Sequence, residues 1–135
     1  MLRYYAFLLF VYMPGVRMFS KSVLAALSEN IRRATNDPKF EAIYASGGSA
    51  GGSGASIGII SNAKNPTQQY FVKMSSGLSG YFMLQSEYEG IKEMLETDSI
   101  RVPTPICVGT TDYNAYAVFE KLNIGGMGDA SAAGK

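Results

Sequence analysis

The chain has 135 residues, 47% of them hydrophobic, and twelve basic against eleven acidic side chains give a formal charge of +1. That length buries one core and leaves no room for a second complete domain. With no block of Lys or Arg to neutralise a row of phosphates, nucleic acid is excluded as a partner. The absence of histidine removes the commonest general base and the commonest zinc ligand.

The opening "MLRYYAFLLFVYM" carries one arginine and then a short apolar run closed by Pro14 and Gly15. It resembles the core of a targeting leader, is too short to span a bilayer, and is followed by "VRMFS", which lacks the small-x-small cleavage pattern. An organelle leader, a buried N-terminal segment and a misplaced start codon are its three readings. Residues 1–19 are expected to stand outside the domain core, and a membrane tether through residues 4–13 is disfavoured. Cytoplasm is the expected location, or plastid or mitochondrion if the segment is a leader.

From Ser20, Val23, Leu24, Leu27, Ile31 and Ala34 recur at helical spacing and "NDP" stops the pattern, which predicts an amphipathic helix. "KFEAIYAS" alternates Phe40, Ala42 and Tyr44 against Lys39, Glu41 and Ile43, the pattern of a half-buried strand. "GGSAGGSG" is then read as a loop before alternation resumes at Ile57. "NAKNPTQQ" is a turn, "YFVKM" a third strand, and "SSGLSG" introduces a helix from about Tyr81 to Thr97. "RVPTPICVGT", with the single cysteine Cys107 in the setting of a buried, inert thiol, and "NAYAVFEKL" supply two more extended segments. This order predicts an α+β fold: a mostly antiparallel five-stranded sheet with one long helix packed on it, preceded by an N-terminal helix.

Three features carry chemistry. Period two puts Tyr70, Val72 and Met74 on one face of the third strand and Phe71 with Lys73 on the other. Winding the helix at 100 degrees per residue gathers Glu89, Lys92, Glu93 and Glu96 on one flank and leaves Glu87 on the other, between Met83 and Met94. A carboxylate against apolar surface needs a partner, and Lys73 is the obvious one. The third feature is the glycine segment, whose bare backbone N–H groups can approach an anion. It fits neither a Walker loop nor a dinucleotide fingerprint. Taken singly, a Gly/Ser tract is commonly a linker, a mid-strand lysine a snorkelling edge residue, and a helix-flank glutamate solvated. Their order and spacing instead match the kinase arrangement, in which a glycine hairpin covers nucleotide phosphates and a strand lysine steadied by a helix glutamate grips them.

"YFVKMSSG", "MLQSEYEGIKEM", "IRVPTPICVG" and "AVFEKLNIGG", in this order, resemble the N-terminal lobe of the fructosamine kinase family, also called ketosamine-3-kinases or protein-ribulosamine 3-kinases. The resemblance covers about Phe40 to Lys135. It implies a kinase-like N-lobe over residues 20–122, with 123–135 starting the connection to a second lobe. It implies that Lys73 contacts the ATP phosphates, that Glu87 pairs with it, and that Gly51, Gly52, Ser53, Gly54 and Ser56 cover the nucleotide. Glu120 to Leu122 would form the hinge that offers backbone hydrogen bonds to adenine. The family phosphorylates the 3-hydroxyl of ketosamines on glycated proteins or small amines, and the product decomposes to free the amine.

Two departures stand out. Several relatives carry a cysteine in the glycine loop that can link subunits, where this chain has Ser53 and Ser56. The family's second lobe holds a His-Gly-Asp motif and an aspartate that binds Mg2+; with no histidine here, the resemblance assigns no catalytic base or metal ligand to this chain. The expectation is that these 135 residues alone do not turn over ATP and ketosamine. A non-catalytic lobe that binds nucleotide or a partner protein is the alternative reading.

Overall fold

The computed structural model describes residues 19–49, 55–97 and 101–122. Helix α1 (Lys21–Thr35) is capped by the Ser20 hydroxyl, which accepts from the Val23 N–H, and ends at Asn36 in the left-handed region with φ 59°. Both are residues that tolerate those backbone positions. Arg32 and Arg33 lie in the last turn, beside the negative end of the helix dipole. Val23, Leu27 and Ile31 of the anticipated stripe are buried, whereas Ala34 is exposed.

Strands β1 (Ala42–Ser49), β2 (Ser56–Asn62), β3 (Asn65–Ser76), β4 (Pro105–Thr110) and β5 (Asn114–Glu120) form one sheet in the order β1-β2-β3-β5-β4. Every pairing is antiparallel. Helix α2 (Gly77–Thr97) lies between β3 and β4 in the chain and packs on β5, β3 and β4. These elements have the anticipated order and kinds.

Several boundaries differ from the sequence reading: β3 starts at Asn65, so the turn expected over "NAKNPTQQ" narrows to Ala63 and Lys64, and two further differences arise at glycines, which local propensity treats as breakers. β1 runs on through Gly47, Gly48 and Ser49, which pair with Gly58, Ile57 and Ser56. α2 starts at Gly77 rather than near Tyr81. Gly77 has φ +77° and turns the chain out of β3, a conformation that costs glycine little. Gly80 is buried against Ser75, whose side chain a Cβ at that position would strike. Close packing, not chain reversal, explains that second glycine.

The sheet separates two cores. On one face, α1 and the residues flanking it bury Leu27, Ile31 and Phe40 against Ile60, Val72 and Val118. On the other, α2 lays Leu84 on Ala115, Ala117 and Phe119, with Phe71, Tyr88 and Ile91 at the margin. Phe19, which the sequence places with the leader, is 5% exposed and belongs to the first core; the expectation for residues 1–18 lies outside the described residues.

Polar ties fix α1 to the sheet. The Ser28 hydroxyl donates to the Leu24 carbonyl at 2.7 Å and accepts from the Ala42 N–H at 2.8 Å. Asn30 donates to the Tyr116 hydroxyl at 2.9 Å. Ser28→Ala leaves the Ala42 N–H buried without its acceptor, and a loss of about 1–3 kcal/mol is expected by chemical denaturation.

Burial pushes the Cys107 thiol up from the ordinary 9.0 to about 12, with the charge of Arg33 offsetting part of the effect. The phenol of Tyr116 moves the same way, chiefly through burial. Raised values favour the neutral forms in the folded chain, so this stability is complete below about pH 9 and is lost as pH rises toward 12. Thiol labelling of the native chain near pH 8 should therefore be slow and should track global unfolding. Fast labelling under native conditions would contradict the burial.

Candidate functional site

Lys73 lies near the C-terminal end of β3, with Ile57 of β2 opposite it on one side and Ala117 of β5 on the other. Directly paired residues share a sheet face, so Ile57, Lys73 and Ala117 form a row on the face that carries α2. Ala117 is fully buried, and its small side chain lets α2 come close.

Glu87 follows the anchor Leu84 by three residues and precedes Tyr88, whose ring sits 6.1 Å from that of Phe119. This packing fixes the rotation of α2. The consequence is a bidentate ion pair: Lys73 Nζ donates to Glu87 Oε1 at 2.8 Å and to Oε2 at 3.0 Å. The two side chains are 17% and 36% exposed. A second pair, Lys64 with Glu41, is separated by 3.6 Å and is 63% and 53% exposed, so solvent screening leaves it worth little. An ammonium has three donors. Glu87 engages two of them, and a third N–H can meet another anion.

The other residues singled out in the sequence divide three ways. Gly51, Gly52, Ser53 and Gly54 lie outside the described residues. Ser56 opens β2 opposite Met74, so its side chain shares the face of Met74 and not that of Lys73; toward an anion beside Lys73 it has backbone to offer. Glu120 ends β5, its N–H donating to the Thr104 carbonyl at 2.8 Å. Leu122 follows it half-buried, while Lys121 between them holds the Gln69 side chain at 2.8 Å. Glu120 lies three positions beyond Ala117 along β5, so this segment stands about 10 Å from the row of Lys73.

Alternation did not single out Ile57 and Ala117 as neighbours of Lys73. The β2–β3 register shifts between Ser61 and Asn62. Counting back from the Asn62–Asn65 end of the hairpin would have set Ile57 against Tyr70, on the wrong face. A cavity of about 820 Å³ opens elsewhere, between the start of α1 and the β4–β5 turn, lined by Ser20, Val23, Ser76 and Asp112 among others. It takes in neither Lys73 nor Glu87.

An antiparallel five-stranded sheet whose third strand offers a lysine to a glutamate on the following helix defines a kinase-like N-lobe. The model of the family described as fructosamine kinase matches residues 23–135, and the chain belongs to that family. A protein-ribulosamine 3-kinase, chloroplastic, of Oryza sativa subsp. japonica is 34% identical over 116 residues, covering 84% of this chain and 33% of the relative. The indica counterpart gives the same values. A probable ketoamine kinase of Synechocystis is 41% identical over 58 residues, 43% of this chain and 19% of the relative. The chain thus spans about a third or less of the curated relatives it matches.

The geometry predicts the size of the coupling. Glu87 is partly solvated, so a double-mutant cycle of Lys73→Met and Glu87→Gln should give about 1 kcal/mol, well short of the 3–5 kcal/mol for breaking a fully buried pair. A coupling near zero in urea titrations would mean that the pair contributes nothing to stability beyond what solvent screening leaves an exposed pair.

Proposed function

We propose that this chain is the nucleotide-binding lobe of an ATP-dependent kinase that phosphorylates ketosamines, the fructosamine or ribulosamine adducts of glycated proteins or small amines. The observation that carries the reading is the Lys73–Glu87 pair at 2.8 and 3.0 Å, one residue across from the β2 arm of a glycine-rich hairpin. Family membership and the names of the rice and cyanobacterial relatives support the substrate class. Deglycation repair is the role this activity would serve.

The residues present fit an anion such as a triphosphate. A positively charged, partly shielded Nζ is aimed by a carboxylate, and Ile57 gives an apolar neighbour on the same face. Lys73 would hold a phosphate oxygen, Glu87 would keep the ammonium from swinging away, and Glu120 to Leu122 would offer backbone groups to the base. When bound, ATP supplies the phosphoryl group and magnesium neutralises its charge. The family resemblance places the metal ligand and the base in a second lobe, so neither role is given to a residue here. Placement in a plastid would suit the chloroplastic rice relatives; among the described residues no helix is long and apolar enough to cross a membrane.

Titration of the 135-residue chain with ATP tests the reading. Lys73→Met should weaken nucleotide binding by about tenfold or more while moving the melting transition little. Equal damage to both would make Lys73 a structural lysine. Phosphorylation of a small fructosamine should be absent from this chain and present in a version continued through a downstream His-Gly-Asp lobe. Nucleotide binding without phosphorylation in either form would favour a non-catalytic lobe.

A further inference from the structure

Phe19 precedes the first residue of α1 by two positions, yet its ring is 5% exposed. It does not simply fill the space beneath the helix. A Cβ added to Gly58 of β2 would overlap the Phe19 ring at Cζ and Cε2, so the ring lies directly on the backbone of the strand. Tyr44 of β1 flanks it, ring centroids 5.1 Å apart. Gly58 pairs with Gly47 on β1 and Val72 on β3. The register of β1 shifts between Tyr44 and Ser46, and this bulge lets Tyr44 and Gly47, three apart in sequence, face the same side. A Cβ on Gly47 would in turn stand 3.0 Å from the Tyr44 hydroxyl.

Glycine inside a strand weakens it and commonly marks the close approach of another group. Here two glycines face each other across β1 and β2: the Phe19 ring approaches Gly58, and the β2 backbone itself, the Ile57 carbonyl first, approaches Gly47. Ile57, the residue just before Gly58, is the one opposite Lys73, on the other face of the sheet.

We propose that Phe19 is a positioning residue, a brace that presses on the back of the β1–β2 arms at Gly58 and sets how closely they stand over the Lys73 side chain. The proposal rests on the reading of Lys73 and these arms as the phosphate site. The brace ties the start of α1 to the arms, because Ser20, the cap of that helix, is the very next residue.

The test uses the full chain with Phe19→Ala, Gly58→Ala and the double variant. The control is Ile31→Ala, fully buried in the same core but about 18 Å further along α1. In Phe19→Ala, amide hydrogen exchange should quicken in residues 46–49 and 56–59 and stay unchanged in β5, whereas Ile31→Ala should show no such preference. The added methyl of Gly58→Ala takes up part of the space Phe19→Ala vacates, so the double variant should exchange more slowly than the sum of the single effects requires. ATP affinity should fall about tenfold in Phe19→Ala and hold in Ile31→Ala, both measured well below their melting midpoints. If Phe19→Ala does not fold, Phe19→Leu serves with the same signs.

An even rise in exchange over the whole sheet would make Phe19 an ordinary core residue and overturn the proposal, as would selective loosening of the arms with unchanged affinity. If the unaltered chain binds no ATP, the nucleotide reading falls and the positioning role with it. Selective exchange would then record only that Phe19 touches the arms.

Discussion

Strict alternation along β3 is the constraint on which the rest of this structure depends. Tyr70, Val72 and Met74 are buried on one face, and Phe71 and Lys73 are half-buried on the other. A strand paired on both sides, with a helix against each face, has no solvent side on which to leave a charge. Lys73 is tolerable because α2 brings Glu87 to 2.8 Å and because the pair sits at a margin where water still reaches it. Deeper in the sheet the same pair would lose more hydration than its attraction returns.

The two cores do different work around that strand. α1, held through Ser28 and Asn30, seals the face away from Lys73 and brings Phe19 onto Gly58. α2 leaves part of its own face uncovered: Phe82, Met83 and Met94 are exposed among the described residues. Its inner stripe of Leu84, Tyr88 and Ile91 is enough to fix its rotation, which is all that aiming Glu87 requires. An ion pair between a strand and a helix is therefore a readout of helix packing. Any change that rolls α2 about its axis moves the carboxylate away from the ammonium.

Glycine has three distinct uses here, and only one of them is flexibility. Gly77 takes a left-handed backbone to turn β3 into α2. Gly80 and Gly58 admit the Ser75 side chain and the Phe19 ring, respectively. Gly47 and Gly48 lie within a paired strand. Composition cannot separate these uses: at Gly47, Gly58 and Gly80 the reason for glycine is an atom from another residue brought close by the fold, whereas at Gly77 it is the backbone conformation, with nothing near an added Cβ.

The sequence by itself determined the order and kind of the elements, the two faces of β3 and the partnership of Lys73 with Glu87. These follow from period two along a strand and 100 degrees per residue along a helix, both local properties of the backbone. It also carried the family, through short phrases whose spacing survives without any knowledge of the pairing. Tertiary structure alone decided that Ile57 and Ala117 flank the lysine, that Ser56 faces away from it and that Phe19 belongs to the core. Register between strands depends on bulges, such as those near Ala45 and Asn62, and one displaced residue sends every side chain beyond it to the other face. The fit of Phe19 against Gly58 depends on two segments far apart in sequence, and nothing in either segment names the other.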